Sequence, residues 1–227
     1  MTSNPGFVER IADVRLRIDA AVARGGHDQP VTMVAVTKTH GPEAVQAAWA
    51  AGISDVGENR VQEALGKMTA VDAPVRWHLI GHLQRNKVGA LDNFSLFHAL
   101  DSVRLADAVD SFGRNRGQPV HVLMQVNPAR EKSKGGYDID EVDSEATRLA
   151  GMPGVAVRGV MTIARMDADE AELRETFSAA RNARNVLQRA GHAATELSMG
   201  MSGDFEIAVE EGATLVRLGS LLFGARE

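Results

Sequence analysis

The chain has 227 residues, 44% of them hydrophobic, a formal net charge of −5 and no cysteine. A disulfide framework, a thiolate nucleophile and a cysteine-ligated metal are therefore excluded. Scattered Lys and Arg on a net-negative chain argue against a nucleic-acid surface, and no apolar run approaches a membrane span.

Residues 1–17 carry no apolar stretch of the signal-peptide kind. With the absence of cysteine, this sets the expectation of a cytoplasmic protein. Phe7, Ile11, Val14, Ile18 and Val22 recur at helical spacing and predict an amphipathic helix over residues 5–23, stopped at Gly25-Gly26. The chain then alternates. Val31 to Val36 is a short, nearly all-apolar strand, and Pro42 to Ala51 a helix ending at Gly52. Strands follow at Ile53–Val56, Arg76–Ile80, Leu96–Leu100, Val120–Val126, Val155–Met161, Thr195–Leu197 and Leu215–Leu218. Helices are predicted between and after them at Arg60–Thr69, 84–91, 102–115, 138–150, 168–190, 204–211 and Leu221–Ala225. Apolar rather than alternating strands imply a parallel sheet buried on both faces. Eight strand–helix units predict an α/β fold: a single (β/α)8 TIM barrel with an extra N-terminal helix, one domain over residues 1–227. A doubly wound open sheet is the alternative.

Barrels of this class carry their chemistry at the C-terminal ends of the strands. Lys38 directly follows the first strand, where partial desolvation makes an amine a nucleophile toward carbonyls. A lysine snorkelling at a strand end is the structural alternative. Ser198-Met199-Gly200-Met201-Ser202 and Gly219-Ser220 follow strands seven and eight, where barrels place phosphate groups, and supply hydroxyls and exposed backbone N–H groups. Two glycine turns with a serine cap would look the same. Arg217 lies inside strand eight and needs an acceptor. That acceptor is either an acidic residue such as Glu58 or a cofactor's pyridine nitrogen, which an arginine would keep unprotonated. His78 and His82 lack a third ligand, so no metal is expected. Arg85 and Lys87 read as a solvated helix face, and Lys132 and Lys134 as part of an exposed, mobile loop over Glu131–Gly136. Tyr137, the only tyrosine, is assigned to the same mobile region and is a poor second base opposite Lys38.

Several stretches together resemble the pyridoxal phosphate homeostasis proteins, whose fold is similar to the barrel domain of alanine racemase. These are Val34–Lys38, Gly57–Glu63, Trp77–Lys87, Val126-Asn127, Gly159–Ile163, Leu197–Ser202, Val216–Ser220 and Phe223–Arg226. The resemblance spans nearly the whole chain in order. It implies that Lys38 holds pyridoxal 5′-phosphate (PLP) as a Schiff base. It further implies that Ser198, Gly219 and Ser220 hold the phosphate, that Arg217 faces the pyridine nitrogen, and that Asn59 and Met161 lie near the ring. His78 and Met201, from the same matching segments, complete the expected cofactor set. Ser220 stands where the family usually has Thr, His82 where Pro or a small residue is common, and Pro128-Ala129-Arg130 departs from the usual loop. The resemblance implies a PLP carrier in intracellular vitamin B6 homeostasis, with no catalytic residues, little or no turnover, and PLP-dependent apo-enzymes as recipients. A monomer is expected because the sequence shows no exposed apolar patch. A PLP-dependent amino-acid racemase or lyase is the alternative, and a phosphate-binding barrel enzyme without PLP a third reading.

Overall fold

A computed structural model describes residues 5–131 and 135–224. Lys132, Lys134, Ala225 and Arg226 lie outside the described residues. The eight apolar runs form eight parallel strands closed into one barrel. They are β1 (Thr32–Val36), β2 (Asp55–Glu58), β3 (Arg76–Leu79), β4 (Leu96–Leu100), β5 (Val120–Gln125), β6 (Val155–Met161), β7 (Glu196–Ser198) and β8 (Leu215–Leu218). Closure comes from β8 pairing with β1, from Thr32↔Leu215 to Ala35↔Leu218. Helices α2 (Pro42–Ala50), α3 (Val61–Ala70), α4 (Val103–Asn115), α5 (Val142–Ala150), α6 (Glu170–Arg189), α7 (Phe205–Glu210) and α8 (Ser220–Phe223) fill the crossovers and follow the last strand. Buried parallel strands tolerate apolar side chains on both faces, which is why these runs lack alternation. Among the described residues, no helix is long and apolar enough to cross a membrane.

Helix α1 (Pro5–Gly25) lies outside the repeat and buries Phe7, Ile11, Val14, Ile18 and Ala21. Ala21, not Val22, completes the inward stripe. Each larger side chain contributes roughly 1.5–3 kcal/mol relative to exposure. Phe7 stacks on Phe223 at 5.3 Å, Arg10 Nε donates to the Leu222 carbonyl, and Arg17 and Arg24 pair with Glu206 and Glu210. The extra helix therefore braces α7 and α8, the elements beside the last two strand ends.

Two predicted helices differ in detail. Residues Arg85–Asn93 form a 3-10 segment, because Val88 and Leu91, its buried pair, are spaced by three and Gly89 weakens an α-helix. The helix placed over 138–150 begins as a 3-10 turn at Ile139–Glu141, with Asp138 and Glu141 in a capping box, before α5.

The β5–β6 register shifts between Val122 and Leu123, opposite Gly159. Gly159 has φ +156°, and a Cβ there would sit 1.9 Å from the Glu196 carbonyl oxygen on β7. Gly159→Ala is expected to lose about 3 kcal/mol, the upper range for overpacking. Urea unfolding should show a lower midpoint; an unchanged midpoint would mean that β6 and β7 part freely.

Candidate functional site

All eight strand ends contribute to one cavity of about 940 Å³. Val36 and Lys38 come from β1, Asn59 from β2, Gly81 and His82 from β3, and Asp101 from β4. Gln125 ends β5, Ile163 and Met166 follow β6, Met201, Ser202 and Gly203 follow β7, and Arg217, Gly219 and Ser220 belong to the β8 end.

The turn that carries Lys38 is held from behind. Thr39 has φ +70°, a left-handed conformation uncommon for a residue with a Cβ. Its N–H donates to Glu63 Oε1 at 2.5 Å, and the His40 N–H donates to the Thr37 carbonyl at 3.0 Å. Lys67 of α3 donates to the Thr37 carbonyl at 2.7 Å, Glu58 Oε1 at 2.6 Å and Glu63 Oε1 at 2.8 Å. The Thr37 hydroxyl donates to the same Glu58 oxygen at 2.5 Å. Burial pushes the Glu58 carboxyl up from its ordinary value, against the opposing pull of Lys67 and Thr37. Glu58 is thus spent on this brace and does not partner Arg217.

Arg217 is buried and, among the described residues, donates to neutral oxygens alone: Ser198 O at 2.7 Å, Ser198 Oγ at 2.6 Å and Thr162 O at 2.9 Å. Burial lowers its pKa to about 10, which leaves it cationic at neutral pH. Among the described residues no carboxylate is hydrogen-bonded to this cation, and the Asp204 charge opposes the effect of burial through space. On the same wall, Ser202 Oγ accepts from the N–H groups of Leu221 (3.2 Å) and Gly219 (3.4 Å), tying the β7 loop to the start of α8. Asn59 is fixed by close backbone approach, since a Cβ on Gly81 would lie 2.3 Å from its carbonyl oxygen. At the far rim, His82 Nδ1 stands 2.6 Å from Asp101 Oδ2, with His82 69% and Asp101 8% exposed.

Of the residues expected from sequence, Lys38, Asn59, Met201, Arg217, Gly219 and Ser220 line this cavity. Ser198, His78 and Met161 do not. Ser198 is fully buried, with its hydroxyl held between Arg217 and His98, so Ser202 rather than Ser198 presents a hydroxyl beside Gly219. His78 is buried between Asp55 and His98. Met161 is buried at the end of β6, and Ile163 beyond it reaches the wall. Tyr137 corrects a second expectation. It is buried, bridges to Val126, and donates its hydroxyl to Glu145 at 2.9 Å. Burial and the Glu145 charge push its phenol well up, and the hydroxyl faces Glu145, not the cavity. The Lys67 brace escaped the sequence reading. Its one signal is the Glu63–Lys67 pair four apart on a predicted helix, ordinarily a surface feature.

The family profile "Alanine racemase, N-terminal domain" matches residues 14–227. The chain is 38% identical over 224 residues to the "Pyridoxal phosphate homeostasis protein" of Pseudomonas aeruginosa, covering 97% of this chain and 96% of that one. It is 39% identical over 223 residues to the protein of that name from Aquifex aeolicus, covering 96% and 98%. It superposes on PipY of Synechococcus elongatus, solved with PLP bound, with a TM-score of 0.84 and 35% identity, over 96% of this chain and all of PipY. The chain belongs to the alanine racemase N-terminal domain family and, within it, to the pyridoxal phosphate homeostasis proteins.

Proposed function

We propose that the chain binds PLP in the strand-end cavity and serves as an intracellular carrier of it, with little or no turnover of amino acids. One observation carries the reading: the Lys38 amine, the Arg217 guanidinium, the Ser202 hydroxyl and the backbone of Gly219-Ser220 line a single cavity. Each answers one handle of the molecule. When bound, PLP supplies an aldehyde that condenses reversibly with a primary amine. The Ser202 hydroxyl and the Ser220 N–H offer neutral donors to a phosphate, the long Gly219 N–H contact to Ser202 holds that hydroxyl beside them, and Arg217 supplies the positive charge that complements a net-negative ligand. Arg217 also acts as a donor toward a ring nitrogen, which disfavours protonation there and weakens the ring as an electron sink.

The low-turnover half of the reading rests on Tyr137, withdrawn into the α5 side of the barrel by Glu145. PLP-dependent apo-enzymes are the intended recipients, and the carrier acts as a one-domain monomer in the cytoplasm. Among the described residues the exposed large apolar side chains are few: Val8 and Leu16 lie eight residues apart on α1, Trp49 on α2 and Val103 on α4, while Met166 and Met201 line the cavity. The His82–Asp101 pair favours a second reading, in which a rim imidazole moves a proton for a racemase or lyase. Solvent-deuterium exchange at Cα across a panel of amino acids separates the two. The carrier reading expects no exchange above the free-PLP rate. Exchange lost in Lys38→Ala and in His82→Ala would establish the enzyme instead.

A further inference from the structure

A continuous line of buried polar groups crosses the barrel interior. It begins at Asp55, the first residue of β2, and ends at Arg217 on the cavity wall. Arg76 donates from Nε and Nη2 to the two Asp55 oxygens at 2.7 and 2.5 Å. His78 Nε2 lies 2.9 Å from Asp55 Oδ1, and His78 Nδ1 lies 2.8 Å from His98 Nε2. His98 Nδ1 lies 2.9 Å from Ser198 Oγ, which accepts from Arg217 Nη1 at 2.6 Å. The line thus passes from β2 through β3 and β4, then across the bore to β7 and β8.

Elementary hydrogen-bond chemistry gives this line a direction. Donors from His78 and Arg76 hold the Asp55 carboxyl well below its usual range although burial opposes this, so it is a carboxylate and only accepts. His78 must then present Nε2–H to it. A single proton on the ring leaves Nδ1 as an acceptor, which requires Nε2–H on His98. His98 is fully buried and its pKa is driven well below the ordinary value, chiefly by desolvation. It is neutral, so its Nδ1 accepts, and the Ser198 hydroxyl donates to it. The lone pairs of Ser198 Oγ remain for Arg217. Every proton in the line points toward Asp55.

We propose that Asp55, His78, His98 and Ser198 are positioning residues for Arg217, forming a one-way hydrogen-bond relay whose direction is set by Asp55 at the opposite end of the barrel. The inference rests on the reading that the cavity binds PLP, because Arg217 is the relay's contact with the ligand. A carboxylate outside the cavity thereby governs how firmly the cavity floor holds its donor.

The competing arrangement is an imidazolium at His78. It would donate from both nitrogens, force Nδ1–H on His98, and reverse the line at Ser198. Long-range 1H–15N spectra of the full chain with 15N-labelled histidine distinguish the two. The relay expects both His78 and His98 protonated on Nε2 alone. Two protonated nitrogens on His78, or Nδ1–H on His98, overturn it.

Asp55→Leu removes the acceptor and is expected to populate Nδ1–H on His98 and to raise the PLP dissociation constant about tenfold, a common scale of coupling between linked sites. Asp55→Asn keeps a carbonyl acceptor and should restore both tautomers and the affinity. Ser198→Ala cuts the line at the other end and should leave both tautomers as in the parent. A His98 tautomer that follows Ser198 instead of Asp55 contradicts the direction. If Asp55→Leu does not fold, the parent and Ser198→Ala spectra still decide. A protein that takes up no PLP defeats the proposed function while leaving the tautomer result intact, so the two failures are separable.

Discussion

Lys38→Ala is expected to abolish the visible absorbance of the PLP-loaded protein and to weaken PLP binding by about 100-fold, roughly 3 kcal/mol. Lys38 is the one primary amine among the described residues of the cavity wall. No other group there can condense with an aldehyde. Ser202, the backbone of Gly219-Ser220 and Arg217 survive the substitution, so weak noncovalent binding should remain. Equilibrium dialysis measures the affinity and a spectrum the chromophore. A Lys38→Ala protein that keeps both would place the amine elsewhere.

The second large effect belongs to a residue that never meets the ligand. Lys67→Met leaves the fully buried Glu58 without its cation, Thr37 O with the His40 N–H alone and Glu63 with the Thr39 N–H alone. Among the described residues, one Glu58 oxygen already has no hydrogen-bond partner. Breaking a buried pair from one side costs about 3–5 kcal/mol. For a chain of this size that lowers the melting temperature by roughly 10 °C. The double variant Glu58→Gln/Lys67→Met removes both charges and should recover much of the loss, a non-additivity expected of contacting residues. Thermal unfolding followed by circular dichroism checks both. A single variant that melts with the parent would show that the pair is not a brace. Because Lys67 also holds the Thr37 carbonyl, a variant that stays folded should bind PLP more weakly, through a loosened Lys38 turn.

The barrel was legible because its signal is repetitive. Eight apolar runs separated by amphipathic helices admit few other arrangements. The place of Lys38, Asn59, Met201, Arg217, Gly219 and Ser220 on the cavity wall was legible for a related reason, since these residues sit at strand ends, where such barrels open. What stayed hidden was the direction in which side chains leave a strand. Ser198 and Ser202 occur in one five-residue motif, yet Ser198 closes β7 and is held inside the barrel between Arg217 and His98, while Ser202, four residues on, reaches the cavity. His78 was expected at the ligand because its segment matched a family. Its position within β3 instead sends it to Asp55 and His98. Tyr137 was assigned to a mobile loop because Gly135 and Gly136 precede it. Pairing with Val126 and burial against Glu145 are tertiary facts with no local signature. The Lys67–Glu58 pair is hidden for the same reason: Glu63 and Lys67, four apart on a helix, read as a solvent-facing pair, and only packing of α3 on β2 buries Lys67 against Glu58.

The most direct test of the carrier reading is borohydride reduction of the PLP-loaded protein followed by peptide mapping. One pyridoxyl group per chain, on the peptide that contains Lys38, is the expected result. A label confined to another lysine, or no reducible label on a protein that has taken up PLP, would contradict the account.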